Sequence, residues 1–168
     1  MISLLKENDP KLHEISTPWD FDVDGSPEEL VKEMAFLLQD QGGIGLAAPQ
    51  VGINKRILIM GNFIKLVACI NPKIVSVSDE RAMDLEGCLS FPELWMKVKR
   101  PASCVVQYLT VTGELVEREL TGLESRVFLH EFDHLMGVTF DMRVGEVTLS
   151  MSLNKRAKQL KRAARASA

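Results

Sequence analysis

Five consecutive residues, His130-Glu131-Phe132-Asp133-His134, have the types and spacing of a metal site. At positions i and i+4 of a helix, two imidazoles lie on one face about one turn apart and can reach a single ion. Glu131, three residues before His134, stands where it can take a proton from a water on that ion. The chain has three histidines, and two of them fall in this motif. A chance H-E-x-x-H on a surface helix is the competing explanation, and the surrounding helical pattern weighs against it.

A catalytic metal usually needs three protein ligands. A third histidine six residues after His134 would give one peptidase type, but position 140 is Phe. Glu146 follows His134 too closely to come from a separate helix, and His13 is remote and alone. Cys88 is the other candidate. It sits in Glu86-Gly87-Cys88-Leu89-Ser90, where Gly87 allows close backbone approach and a carboxylate lies two residues upstream. A ligating cysteine would be a thiolate, giving one sulfur and two nitrogens, with water fourth. Cys69 and Cys104 lie among apolar residues and read as buried structural thiols.

Two other patterns are decoys. Asp20, Asp22, Asp24 and Gly25 open like a calcium loop, but the twelfth position, which needs a bidentate Glu, is Val31. Gly43-Ile44-Gly45-Leu46-Ala47-Ala48 fits a loose dinucleotide pattern, but it follows a helix rather than a strand, and Pro49 keeps Ala48 out of helical geometry.

Three segments stand together: Gly43-Ile44-Gly45-Leu46-Ala47-Ala48-Pro49-Gln50, Glu86-Gly87-Cys88-Leu89-Ser90 and His130-Glu131-Phe132-Asp133-His134. In that order they resemble the peptide deformylase motifs G-x-G-x-A-A-x-Q, E-G-C-x-S and H-E-x-x-H. The likeness spans about residues 3–165. It implies a hydrolase that removes the formyl group from N-formylmethionine at the start of new polypeptides, by attack of metal-bound hydroxide. It also implies that Cys88, His130 and His134 hold the metal and that Glu131 is the general acid/base. Gln50 and the backbone N–H of Leu89 would stabilise the oxyanion, Gly45 would shape the cleft, and Ile44 and Val127 would wall the methionine pocket. Fe(II) is the implied ion, with nickel, cobalt or zinc able to replace it. Glu86 and Asp133 are candidate supporting carboxylates, with Arg100 a partner for Glu86. Leu129, Trp95 and Arg126 depart from the usual pattern, the last two at the cleft rim.

The elements that must carry these residues follow from periodicity. Ser26-Pro27-Glu28-Glu29 reads as a helix start with a capping box, continued by Leu30, Met34, Leu37 and Leu38 and ended by Gln41-Gly42-Gly43. Short β-rich runs cover 56–60, 66–70, 73–77, 103–109 and 114–120. Helices are expected at about 123–136 and 148–165, the latter with Leu149, Leu153, Ala157, Leu160 and Ala164 as one apolar stripe. The order predicts an α+β fold of short, mostly antiparallel strands around a central helix bearing the H-E-x-x-H motif, between an N-terminal and a basic C-terminal helix. Residues 1–147 would form the catalytic part and 148–168 a basic helix of the same domain.

With 168 residues, 46% hydrophobic and 26% charged, the composition is that of one globular domain. No run is long enough for a membrane span. The absence of a signal-peptide pattern and the odd cysteine count predict a cytoplasmic protein. The net charge of -3 is uneven: every acidic residue lies at or before Glu146, while residues 147–168 hold six basic ones. That tail suits docking on an anionic surface, and the resemblance points to the ribosome, without a specific nucleic-acid sequence. Rival readings are a peptidase cutting internal bonds and an RNA-binding module with a structural metal. The second leaves Glu131 and Gln50 without a role.

Overall fold

A computed structural model describes residues 2–62 and 64–166. The chain runs through helix α1 (Glu28–Asp40), strands β1 (Gly45–Ala47), β2 (Ile57–Asn62), β3 (Lys65–Val77), β4 (Arg81–Cys88), β5 (Phe91–Pro101), β6 (Ser103–Leu109) and β7 (Leu115–Thr121), then helices α2 (Gly122–Leu135) and α3 (Glu146–Ala166). Five strands form one sheet in the order β1-β2-β3-β6-β7, and β4 pairs with β5 in a second. All these pairings are antiparallel. The α+β expectation holds, with both sheets packed around α2.

Alternation shows why the sheet buries one face. Along β6, Cys104, Val106 and Tyr108 point inward and their neighbours outward. These meet Phe128 and Leu129 of α2 in the core. Helix α2 is buried nearly all round, and its buried residues include Arg126, His130, Glu131, Asp133 and His134. A central helix so rich in charge requires partners from the surrounding elements.

The structure corrects several expectations. The runs at 66–70 and 73–77 are one strand, β3, with a register shift where Asn71 takes φ 51° and another between Ile74 and Ser76. Pro72 therefore interrupts the ladder without ending the strand. The capping box at Ser26 does not form: Ser26 Oγ accepts from the Glu28 N–H at 3.3 Å, while Glu29 pairs with Lys32. The β4–β5 hairpin was not anticipated, although Leu94, Met96, Val98 and Arg100 alternate inward along β5. Helix α3 begins at Glu146 and buries no residue. Of the expected stripe only Leu149 is half-buried, joined by Ser152 and Arg156, while Leu153, Ala157, Leu160 and Ala164 are exposed. Arg156 decides this, because its guanidinium is held by Glu7 at 2.6 and 3.1 Å. The last two residues of the expected tail, Ser167 and Ala168, lie outside the described residues.

Candidate active site

The β4–β5 hairpin brings Cys88 to α2. Cys88 ends β4, facing Phe91 across the hairpin. Its Sγ lies 3.3 Å from His134 Nε2, and one donor atom from each of Cys88, His130 and His134 falls within 4.8 Å of the others. Around a tetrahedral ion, a thiolate sulfur and an imidazole nitrogen stand about 3.6 Å apart. The donor set is therefore of a kind and spacing that could hold one divalent cation.

The electrostatics agree. Burial pushes His134 well below its ordinary value, which leaves the neutral imidazole a ligand must be. Burial also opposes charge on His130, yet hydrogen bonds with Cys88 and Glu86 raise it to about 10, so this ring must release a proton before it can ligate. His130 Nδ1 faces Glu86 Oε2 at 3.0 Å. With its proton on that nitrogen, Nε2 carries the lone pair toward the ion.

Glu86 is the hub of a buried network. Arg100 grips it through Nε at 2.6 Å and Nη2 at 2.9 Å, and Arg126 Nη1 adds a third bond at 2.6 Å. Burial would raise the Glu86 carboxyl, but His130 and Arg100 outweigh it and hold it near 2. Arg100 Nη1 also reaches Asp133 at 2.8 Å, and Arg143 closes on the same carboxylate. The anticipated Glu86–Arg100 pair is thus present. Arg126 is no rim residue: only 7% exposed, it is fixed by Glu86 and by the Val98 and Ala82 carbonyls. Arg143 and Phe140, whose ring lies 5.7 Å from that of His130, were not anticipated. No local periodicity marks them, since both follow the end of α2.

Glu131 lies on the cleft side of α2. Its Oε2 is buried with no hydrogen-bond partner among the described residues. Burial raises the carboxyl to about 7, against the pull of His130 and Arg100. An acid poised there can take and return a proton near neutrality. Gln50 Oε1 accepts the Ala47 N–H at 2.8 Å, which fixes the amide so that Nε2 faces Cys88 Sγ and Ser90 Oγ, both at 3.4 Å.

Gln50, Cys88, His130 and Glu131 line one cleft of about 550 Å³, shared with Ile44, Gly45, Leu89, Trp95 and Val127. Ile44 is half exposed at the mouth. Cys69 and Cys104 are buried away from it as free thiols, both pushed up by burial. The acidic turn is satisfied internally, with Asp24 bonded to Lys55 and Asp20 to backbone N–H groups. Among the described residues no helix is long and apolar enough to cross a membrane.

A sequence model described as polypeptide deformylase matches residues 1–149. The chain is 41% identical over 142 residues to a peptide deformylase of Thermotoga neapolitana, covering 84% of this chain and 86% of that one. It is 37% identical over 158 residues to one from Rhizobium meliloti, covering 91% and 90%. Among solved structures, a peptide deformylase from Synechococcus elongatus in complex with actinonin superposes with TM-score 0.86 at 32% identity, covering 93% of this chain and 86% of that one. One from Thermotoga maritima gives TM-score 0.81 at 39% identity, covering 86% and 98%.

Proposed function

Because this chain belongs to the polypeptide deformylase family, we propose that it is a hydrolase removing the formyl group from N-formylmethionine at the start of newly made polypeptides. The observation that carries the reading is the convergence of the Cys88, His130 and His134 donor atoms beside a cleft that Cys88, His130 and Glu131 line, with Glu131 Oε2 lacking a hydrogen-bond partner among the described residues.

Cys88, His130 and His134 would hold one divalent cation, which supplies a water of lowered pKa and polarises the formyl oxygen. Fe(II) is the native ion in this reading, and nickel, cobalt or zinc can take its place. Glu131 accepts the proton of the attacking water and returns it to the departing amine, for which a carboxyl near 7 is suited. As the formyl carbon becomes tetrahedral, its oxygen gains charge. Gln50 Nε2, aimed by the Ala47 contact, and the Leu89 N–H are the donors toward it. Ile44, Val127 and the stem of His130 wall the methionine side chain. Gly45 keeps the substrate close to Glu131.

Residues 1–147 act as the catalytic part. The basic helix α3 is the docking element for the ribosome, with Lys161 and Arg165 among its exposed cations. The free thiols suit the reducing cytoplasm.

The test is metal-loaded protein incubated with formyl-Met-Ala, acetyl-Met-Ala and an unformylated protein. Formate release from the first, with the other two intact, is expected. Cleavage of internal bonds in the protein, or no formate, overturns the reading.

A further inference from the structure

The active cleft continues past its rim. Leu85, Glu93 and Trp95 line it and also line a second depression of about 330 Å³, whose far wall is α3, at Ser152, Lys155, Arg156 and Gln159. Lys155 and Gln159 are shared in turn with a third depression of about 470 Å³ that extends to Lys158 and Arg162. The three form one track from the metal ligands to the middle of α3.

The floor of the track is built. Gly87 precedes Cys88 and faces Trp95 across the hairpin. A Cβ on Gly87 would meet three atoms of the Trp95 six-membered ring at 2.9–3.0 Å, so the indole lies on the bare backbone. Trp95 is 57% exposed and held beside the site. An exposed aromatic platform so placed is a surface over which a peptide can pass. Beyond it the charge changes. Arg156 is taken up by Glu7, whereas Lys155, Lys158 and Arg162 have no ion pair among the described residues. Glu93 is the one acidic side chain among the residues lining the second and third depressions.

We propose that the residues following the formylated methionine leave the cleft over Trp95 and run along the Lys155–Arg162 side of α3, so that substrates with acidic residues beyond the third position are favoured. The inference rests on the deformylase reading. An extended chain advances about 3.3 Å per residue, so positions four to eight span about 15 Å. From Lys155 to Arg162 the helix rises about 10 Å, which about three extended residues of that stretch cover. A peptide is favoured over RNA here because the track opens from the cleft that holds its first residue. Attraction of this kind acts within a Debye length, close to the cations.

The experiment uses metal-loaded protein with formyl-Met-Ala-Ser and two heptapeptides, formyl-Met-Ala-Ser-Gly-Asp-Glu-Asp and formyl-Met-Ala-Ser-Gly-Lys-Arg-Lys. At low salt the acidic heptapeptide should exceed the basic one in kcat/KM by about fivefold, since each exposed ion pair contributes a small factor. The ratio should fall toward one at high salt and in the Lys155→Glu/Arg162→Glu variant, while kcat/KM on formyl-Met-Ala-Ser stays unchanged. Calorimetry of the two deformylated heptapeptides should rank their affinities in the same order. Equal rates and affinities for the two, or a preference that survives the double substitution, overturn the track. So does a double variant that loses affinity for an RNA oligonucleotide but not for the acidic peptide. Absence of turnover on formyl-Met-Ala-Ser would instead overturn the deformylase reading, and calorimetry would still decide the track.

Discussion

Gly45 and Glu131 stand too close for a side chain to fit between them: a Cβ on Gly45 would lie 2.9 Å from Glu131 Cγ and 2.8 Å from Val127 Cγ1. Strand β1 and helix α2 are in contact along this line. The missing side chain is what lets the strand edge approach the carboxylate. Gly45→Ala should therefore displace Glu131 while leaving the metal ligands in place. We expect a loss of kcat/KM of about tenfold to a hundredfold, as for misplacement by about 1 Å. Metal content should be unchanged. A variant with wild-type rate would show that Glu131 is not held by this contact.

Glu131→Gln keeps the shape of the side chain but removes its proton-carrying function. Turnover on a formyl-Met peptide should drop by about 10²–10⁴-fold. Metal stoichiometry, measured on the same preparation, should equal that of the wild type. A rate within a factor of a few of wild type would remove Glu131 from the reaction.

Cysteine substitutions separate ligand from core. Cys88→Ala should lose the metal, because its sulfur is one of the three converging donors. Cys104→Ala should retain it, since that thiol is buried against Ser125 and Cys69 lies elsewhere in the same core. Elemental analysis of purified protein decides between them, and full metal retention by Cys88→Ala would exclude it as a ligand.

Arg100 joins Glu86 to Asp133, with all three side chains less than a tenth exposed. Removing it leaves two buried carboxylates short of their cation. Arg100→Ala should cost about 3–5 kcal/mol in denaturant unfolding. Because Glu86 orients His130, metal affinity should fall as well, by about 10–100-fold. Normal metal affinity in a folded variant would show that Arg126 alone suffices to hold Glu86.

Helix α3 buries no residue, and from position 152 onward its ion pair with the body is Arg156 to Glu7, among the described residues. Deleting residues 152–168 should lower co-sedimentation with ribosomes, most clearly at low salt, where counterion release favours binding. Activity on a formyl dipeptide should largely survive. Equal sedimentation of truncated and full-length protein would make the tail a structural appendage.

The helix bearing His130 and His134 was legible along the chain because its information is local. His130 and His134 share a face through the 3.6-residue period, whatever surrounds them. The same holds for the bounds of α1 and for β6, whose expected limits match the observed strand. The order of the three motifs was likewise enough to place the chain in its family. Other features depend on contacts between distant residues. Cys88 reaches His134 across 46 positions because the β4–β5 register ends at that residue. Arg126 looked like a rim residue, since nothing local announces that Glu86 and two hairpin carbonyls will receive it. The packing face of α3 was misread for the same reason. Its apolar stripe follows helical periodicity, but Glu7, at the other end of the chain, captures Arg156 and sets the rotation of the helix. Periodicity determines which residues share a face; which face is buried depends on the partner that the folded chain brings to it.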